Sequence, residues 1–255
     1  MRRPGILTQM QPRSILVTGG ARRIGAEICR VLHGAGCNVV VHCNRSLAEA
    51  DQLAAELNAE RADSVDVVQG DLHDAGDLAA LVERAARCFG RLDGLVNNAS
   101  TFYPTGLGAI NETSWDDLVG TNLKAPLFLA QAAAPHLVKT RGAIVNIVDI
   151  HAERPLKNFV VYTLAKAGLA GLTRSLALEL APAVRVNGVS PGAILWPEGG
   201  DQYSKEERSR IVRQTPLQRE GTPGDIAGAV KYLLLDAPYV TGQILSVDGG
   251  REITL

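Results

Sequence analysis

The chain has 255 residues, 46 % hydrophobic and 21 % charged, with acids and bases cancelling to a net charge of −1. That length and apolar content allow a large core within one α/β unit. The charge balance offers no basic excess for nucleic acid or an anionic membrane, and no apolar run reaches the ~18 residues of a membrane span.

Short, nearly continuous Val/Ile/Leu runs recur along the chain, as expected of strands buried on both faces. They are 14–18, 38–42, 65–68, 94–97, 143–148, 184–189 and 243–247. Helical patterns lie between them, for example Ala48–Leu57, Ala75–Phe89 and Ala165–Leu180. Ser114 is expected to cap a helix that opens on Trp115-Asp116-Asp117, with acids well placed in its first turn. Pro126 should kink that long helix and free a carbonyl near Asn122, four residues earlier. Gly199–Arg213 is polar and lacks apolar periodicity, which predicts a mobile flap with a short helix, at about 194–215. Thr222-Pro223 should open a helix to about Leu235, with threonine as N-cap and proline first inside. Strand–helix alternation predicts a single-domain, Rossmann-like, doubly wound α/β fold over residues 1–255. It would have about seven parallel strands in one sheet and helices on both faces.

Thr18-Gly19-Gly20-Ala21-Arg22-Arg23-Ile24-Gly25 follows the first strand and opens the first helix. This suits a dinucleotide turn, where glycines let the backbone approach a pyrophosphate at a helix N-terminus. Arg23 stands where a middle glycine is common and is assigned to the phosphates or the substrate edge. Arg22 reads as a solvated first-turn residue. The second strand ends in His42-Cys43-Asn44-Arg45-Ser46. An NAD site would present Asp or Glu there to the ribose hydroxyls. Asn44, Arg45 and Ser46 instead offer a cation and several donors suited to a 2′-phosphate, although Ser46 could also cap the next helix. Asp71, beside Leu72, could meet the adenine, and Asn97-Asn98-Ala99-Ser100 would flank the cofactor ribose. The expected cofactor is NADPH.

Tyr162 and Lys166 are four residues apart, one helical turn on one face. A lysine cation beside a tyrosine favours the phenolate and should lower its pKa from about 10. The pair is a candidate general acid for an atom that has just accepted a hydride. Asp149 lies thirteen residues before Tyr162, where a hydride-transferring site of this type usually carries serine. The competing reading of Asp149 is a structural strand-end acid.

With the glycine turn, Asn97-Asn98-Ala99, Asn122, Tyr162-x-x-x-Lys166, Pro191-Gly192 and Asp248-Gly249-Gly250 in this order, the chain resembles the short-chain dehydrogenase/reductase family over nearly its full length. Within that family it is similar to the pteridine reductases. The match rests on Arg23, His42 to Ser46, Asn97 to Pro104 and Asp149 in place of serine. The resemblance implies a homotetrameric enzyme reducing pterins, of dihydrobiopterin or dihydromonapterin type and potentially dihydrofolate, with NADPH. It implies Asp149, Tyr162 and Lys166 as the catalytic set, with Asn122 supporting Lys166 through water. It implies Phe102 stacking on the pterin, with core packing as the competing reading. Ser100 and Arg23 would contact the pterin edge or the phosphates. The implied cofactor contacts are Gly19, Arg23, Ile24, Asn44, Arg45, Ser46, Asp71, Leu72, Asn98, Ala99, Ser100, Tyr162, Lys166, Pro191 and Gly192. The chain departs from the better-known members between Trp196 and Arg213 and in the tail Arg251–Leu255.

Trp196 reads as a pocket wall or a loop anchor, and His151 as a pocket-border residue. The other histidines are scattered without metal-ligand spacing, so no metal site is expected. Cys29, Cys37, Cys43 and Cys88 show no C-x-x-C spacing. Cys37 and Cys43 would sit roughly 20 Å apart on one strand, too far to bridge. Four reduced thiols suggest a cytoplasmic protein, and the basic Met1–Gly5 lacks the apolar stretch of a signal peptide. Two other readings are a reductase for a different carbonyl, such as a 3-oxoacyl thioester, and a non-enzymatic NADP sensor. The altered serine position argues against the first, and the intact Tyr162/Lys166 pair against the second.

Overall fold

Residues 11–74, 76–196 and 203–255 are described in a computed structural model. In chain order the elements are β1 (Ser14–Val17), α1 (Arg23–Gly34), β2 (Asn38–Cys43), α2 (Leu47–Glu60), β3 (Val65–Gln69), α3 (Leu78–Cys88) and β4 (Gly94–Asn97). There follow α4 (Glu112–Val119), α5 (Ala125–Thr140), β5 (Ala143–Ile147), α6 (Val160–Glu179), β6 (Arg185–Pro191), α7 (Lys205–Gln214), α8 (Pro223–Lys231) and β7 (Ile244–Val247). The seven strands form one parallel sheet in the order β3-β2-β1-β4-β5-β6-β7. This is the expected Rossmann-like arrangement.

Strand alternation builds two cores. Ile15, Val17, Val39, Val41 and Val145 face α1, α2 and α8 on one side. Leu16, Val40, Leu95 and Ile144 face α3 and α5 on the other. Strand order reverses between β1 and β4, so the loops after those strands part and leave a crevice at their carboxyl ends. The glycine turn and the Asn97-Asn98-Ala99 segment meet there.

Several local expectations are corrected. The N-cap of α4 is Asn111, whose side chain accepts from Ser114 N; Ser114 sits three residues inside and returns a hydrogen bond to the Asn111 N–H. Serine is thus the second half of a capping box. Near Pro126 the helix widens into a π-turn over Gly120–Lys124, with Ala125 N–H reaching back to Gly120 O. The missing proline N–H is absorbed by that change of winding. Thr222 does cap α8, reciprocally with Asp225, but the helix gives way to a π-turn over Tyr232–Asp236. α6 begins at Val160, earlier than its apolar pattern suggests, so Tyr162 lies in its first turn. Ser46 precedes α2 without a side-chain capping bond. Ala75 and residues 197–202 of the expected flap lie outside the described residues, while Lys205–Gln214 forms the short helix expected there. No helix among the described residues is long and apolar enough to cross a membrane.

Candidate active site

The turn after β1 is built by close backbone approach. Gly19 has φ +59°, and a Cβ there would lie 3.0 Å from Ala99 Cα. A Cβ on Gly25 would lie 2.1 Å from Gly19 O, so only glycine fits. The Thr18 hydroxyl accepts from Asn98 N and Ala99 N at 3.0 and 3.1 Å. Asn98 Nδ2 donates to the carbonyls of Thr18 and Gly19 at 2.9 and 3.0 Å. The two halves of the crevice are therefore tied together directly.

His42 belongs to this turn, which its scattered place in the sequence did not reveal. It is 1 % exposed. Its Nδ1 accepts from Gly19 N–H at 3.2 Å, which leaves Nε2–H to donate to Gly70 O at 3.2 Å. Burial lowers its pKa to about 4, opposed by the Gly70 bond, so the ring is neutral and its tautomer is fixed by the backbone. One imidazole thus sets the spacing between the turns after β1 and β3.

Beside these turns runs a cavity of about 670 Å³, bordered by Gly19, Arg45, Ser46, Asp71, Leu72 and Ala99. A second, of about 450 Å³, is bordered by Phe102, Asp149, Tyr162, Lys166, Gly192 and Trp196. Arg23, Ile24, Asn98 and Ser100 border both, so the two are halves of one cleft. The glycine cradle and the adjacent Asn44-Arg45-Ser46 donors fit a dinucleotide with an extra phosphate on its adenosine side. Pro191 and Gly192 close the cleft at the end of β6, where a Cβ on Gly192 would lie 2.7 Å from Asp248 Cα.

Arg23 has φ +54°, a left-handed conformation that explains why glycine is common at this position. Its guanidinium Nη2 donates to Trp196 O at 3.0 Å and Leu195 O at 3.4 Å. In this structure it therefore joins α1 to the segment after β6, in addition to bordering both halves of the cleft.

At the inner end of the cleft Asp149, Tyr162 and Lys166 converge from the end of β5 and the first turns of α6. The Tyr162 hydroxyl donates to Asp149 Oδ2 at 2.6 Å. Asp149 Oδ1 accepts from His151 N at 2.8 Å, which caps the 3₁₀ turn Ile150–Ala152. Lys166 Nζ donates to Ile147 O at 2.9 Å and lies 5.7 Å from the Tyr162 ring centroid. Burial lowers the Lys166 ammonium to about 8, with Asp149 pulling the other way. The expectation that lysine lowers the tyrosine is overturned. Burial, and then the Asp149 carboxylate, hold Tyr162 well above the usual phenol range. The carboxylate touches the hydroxyl, whereas the ammonium is turned to a backbone carbonyl, so the nearer charge governs. Tyr162 is therefore protonated.

Asn122 lies in the π-turn and organises the loop after β4. Its Nδ2 donates to Thr101 O at 3.0 Å and Leu118 O at 2.9 Å, and its Oδ1 accepts from Ser100 Oγ at 2.6 Å. Phe102 stacks on Phe159 with centroids 4.6 Å apart and meets Tyr162 edge-on at 4.7 Å. It is a packing residue, as the competing reading has it, and it also borders the cleft. Trp196 is both wall and anchor: its Nε1 donates to Glu220 at 2.9 Å, and Arg208 lies over its ring. Arg251, in the C-terminal tail where the sequence departs from the better-known members, also borders the inner cavity.

The chain matches the family model described as enoyl-(acyl carrier protein) reductase over residues 19–252. It is similar to pteridine reductase 1 of Leishmania tarentolae, 39 % identical over 94 % of this chain and 96 % of that protein. It is also similar to the 3-oxoacyl-[acyl-carrier-protein] reductase of Staphylococcus aureus, 37 % identical over 93 % of this chain and 97 % of the relative. The protein of the same name from Staphylococcus epidermidis is 34 % identical, over 93 % of this chain and 98 % of its own length.

Proposed function

We infer that this chain, which belongs to the short-chain dehydrogenase/reductase family of oxidoreductases, reduces pterins with NADPH. The observation that carries the reading is the Asp149 carboxylate 2.6 Å from the Tyr162 hydroxyl. A serine hydroxyl suits a carbonyl oxygen. A carboxylate can accept from ring N–H groups and pass protons to a neighbouring hydroxyl, which suits a heterocycle. The similarity to pteridine reductase 1 supports the same reading.

In the proposed reaction Tyr162 and Lys166 would hold the nicotinamide, which when bound would supply hydride to the carbon of a C=N bond. Tyr162 donates its proton to the ring nitrogen, which becomes strongly basic as hydride arrives, so even a weak acid serves. A proton taken up by Asp149 from solvent then passes to the Tyr162 oxygen along their hydrogen bond and restores the acid. Lys166 would hold the nicotinamide ribose. Ser100, kept in place by Asn122, and the ring of Phe102 position the pterin. Arg23 and Trp196 border its outer edge. Gly19, Ile24, Asn98 and Ala99 line the cofactor channel, with Leu72 and Asp71 at its adenine end.

The test is NADPH consumption across a panel of dihydropterins, dihydrofolate and 3-oxoacyl thioesters. Turnover with pterins is expected; exclusive turnover with the thioesters would favour the second reading, which the 37 % identity to the 3-oxoacyl reductase supports. Cofactor binding without turnover on any substrate would point instead to a sensor.

The cofactor preference has its own test. Arg45→Ala should weaken NADPH far more than NADH. A charge-assisted hydrogen bond is worth about 1.5–3 kcal/mol, or roughly 10–150-fold in affinity. Equal losses in fluorescence titrations of the two cofactors would show that Arg45 does not meet the 2′-phosphate.

The proposal extends to a homotetramer. Val160, Leu164 and Leu178 leave an exposed apolar stripe on α6, with Leu127 and Val138 exposed on α5. Gly171 lies in register with the α6 stripe, and a Cβ there would meet nothing within 4 Å. These helices are suited to pack against copies of themselves. Light scattering should give four times the 27.1 kDa chain mass; a monomer mass would refute it.

A further inference from the structure

The tail after β7 is folded back over the inner cavity by a specific turn. Gly249 and Gly250 both adopt left-handed conformations, φ +65° and +85°. The Asp248 carboxylate accepts from Gly250 N at 2.9 Å and from Glu252 N at 2.6 Å, which locks the reversal. The turn packs against the end of α7: Leu217 N donates to Gly249 O at 3.1 Å, and a Cβ on Gly249 would lie 2.8 Å from Thr215. The first residue beyond it is Arg251, 8 % exposed and bordering the same cavity as Asp149 and Tyr162.

Arg251 has an unusual set of neighbours. The hydrogen bond described for it runs from Nη1 to Ile211 O at 3.5 Å, at the long limit for such a bond. The acids nearby in sequence are engaged elsewhere. Asp248 is used on backbone N–H groups, and Glu252 accepts from Ser246 at 2.7 Å. Arg23, the other arginine on this cavity, donates to backbone carbonyls. A guanidinium offers five donors in a planar fork. None of the remaining Arg251 donors is sealed away without a partner, and the residue borders the inner cavity. Asp149 is near enough for its charge to act on Arg251, but its two oxygens are taken by the Tyr162 hydroxyl and His151 N–H. An anion entering the cavity could therefore use the free part of the fork.

We propose that Arg251 is a specificity-determining residue that binds an anionic group on the side chain of the substrate, a carboxylate or a phosphate carried away from the reducible ring. This rests on the pterin reading above and refines it. Asp149 and Tyr162 take the ring at the end of β5. Arg251, beside Ile211 of α7, takes the far end of the substituent. Planar forked geometry suits both carboxylate and phosphate oxygens, and lysine would not reproduce it.

The experiment compares kcat/KM for three substrates: dihydrofolate, with carboxylates; dihydroneopterin phosphate; and dihydrobiopterin, with a neutral side chain. The proteins are the unmodified enzyme, Arg251→Gln and Arg251→Lys. In Arg251→Gln the ratio of kcat/KM for at least one anionic substrate to that for dihydrobiopterin should fall about 10-fold or more, carried by KM. Arg251→Lys should recover part of that ratio. The substrate whose ratio falls identifies the anion. A change in NADPH affinity, followed by fluorescence, would separate misfolding from the specific effect. An unchanged ratio for both anionic substrates, with pterin turnover present, overturns the role of Arg251 and leaves the pterin reading standing. Absence of turnover on every pterin by the unmodified enzyme overturns the pterin reading and this proposal with it.

Discussion

Tyr162→Phe is expected to keep the fold and the NADPH affinity while pterin turnover falls ~10²–10⁴-fold, the usual cost of losing a positioned acid. The ring contacts survive the change, since Phe102 meets the Tyr162 ring and not its hydroxyl. What disappears is the proton held between the tyrosine oxygen and Asp149 Oδ2 at 2.6 Å. Lys166 remains tied to Ile147 O and continues to serve the nicotinamide ribose in the proposed site. The measurement pairs single-turnover NADPH oxidation with cofactor titration in both proteins. Near-normal kcat in the phenylalanine variant would move the proton donor elsewhere. A loss of cofactor affinity equal to the loss of rate would make Tyr162 a binding residue only.

The sequence exposed the parts of the fold and site that local pattern determines. Apolar runs marked all seven strands, the five inner ones because they are buried on both faces and the edge strands β3 and β7 through a partly exposed run. The turn after β1 showed itself through glycines that the backbone cannot replace. The Tyr162–Lys166 spacing placed both residues on α6. The readings that failed depend on distances between side chains. Four residues of separation suggested that lysine would govern tyrosine, yet Lys166 turns to Ile147 O and Asp149 reaches the hydroxyl. The pair Asn111 and Ser114 cap one helix together, so choosing the residue beside the acids selected the wrong member. His42 stands in the matched segment His42 to Ser46 with nothing local to show what its ring does, and Arg251 stands in the divergent tail. Their roles arise only when β2 is laid beside β1 and when the tail folds back under α7.

Asp149→Ser should separate the substrate classes. A serine would restore the commoner residue for carbonyl reduction and remove the carboxylate proposed to serve a pterin ring. The fold has a reason to tolerate it. Asp149 Oδ1 caps the Ile150–Ala152 turn by accepting from His151 N at 2.8 Å, and a serine hydroxyl can perform that capping. It cannot at the same time supply a second, charged oxygen to Tyr162. Removing that charge relieves one of the causes holding Tyr162 high, so the tyrosine becomes the stronger acid but loses the carboxylate that relays a solvent proton back to it. Cofactor affinity should survive, since Asp149 is proposed to serve the substrate side of the nicotinamide and is not itself among the proposed cofactor contacts. Pterin kcat/KM should fall ~10²-fold or more, and turnover of a simple ketone should fall less or rise. The comparison is kcat/KM for a dihydropterin and a ketone in both proteins. Unchanged pterin turnover in the serine variant would reduce Asp149 to a turn-capping acid and remove the main physical reason for preferring a pterin over other substrates of this cleft.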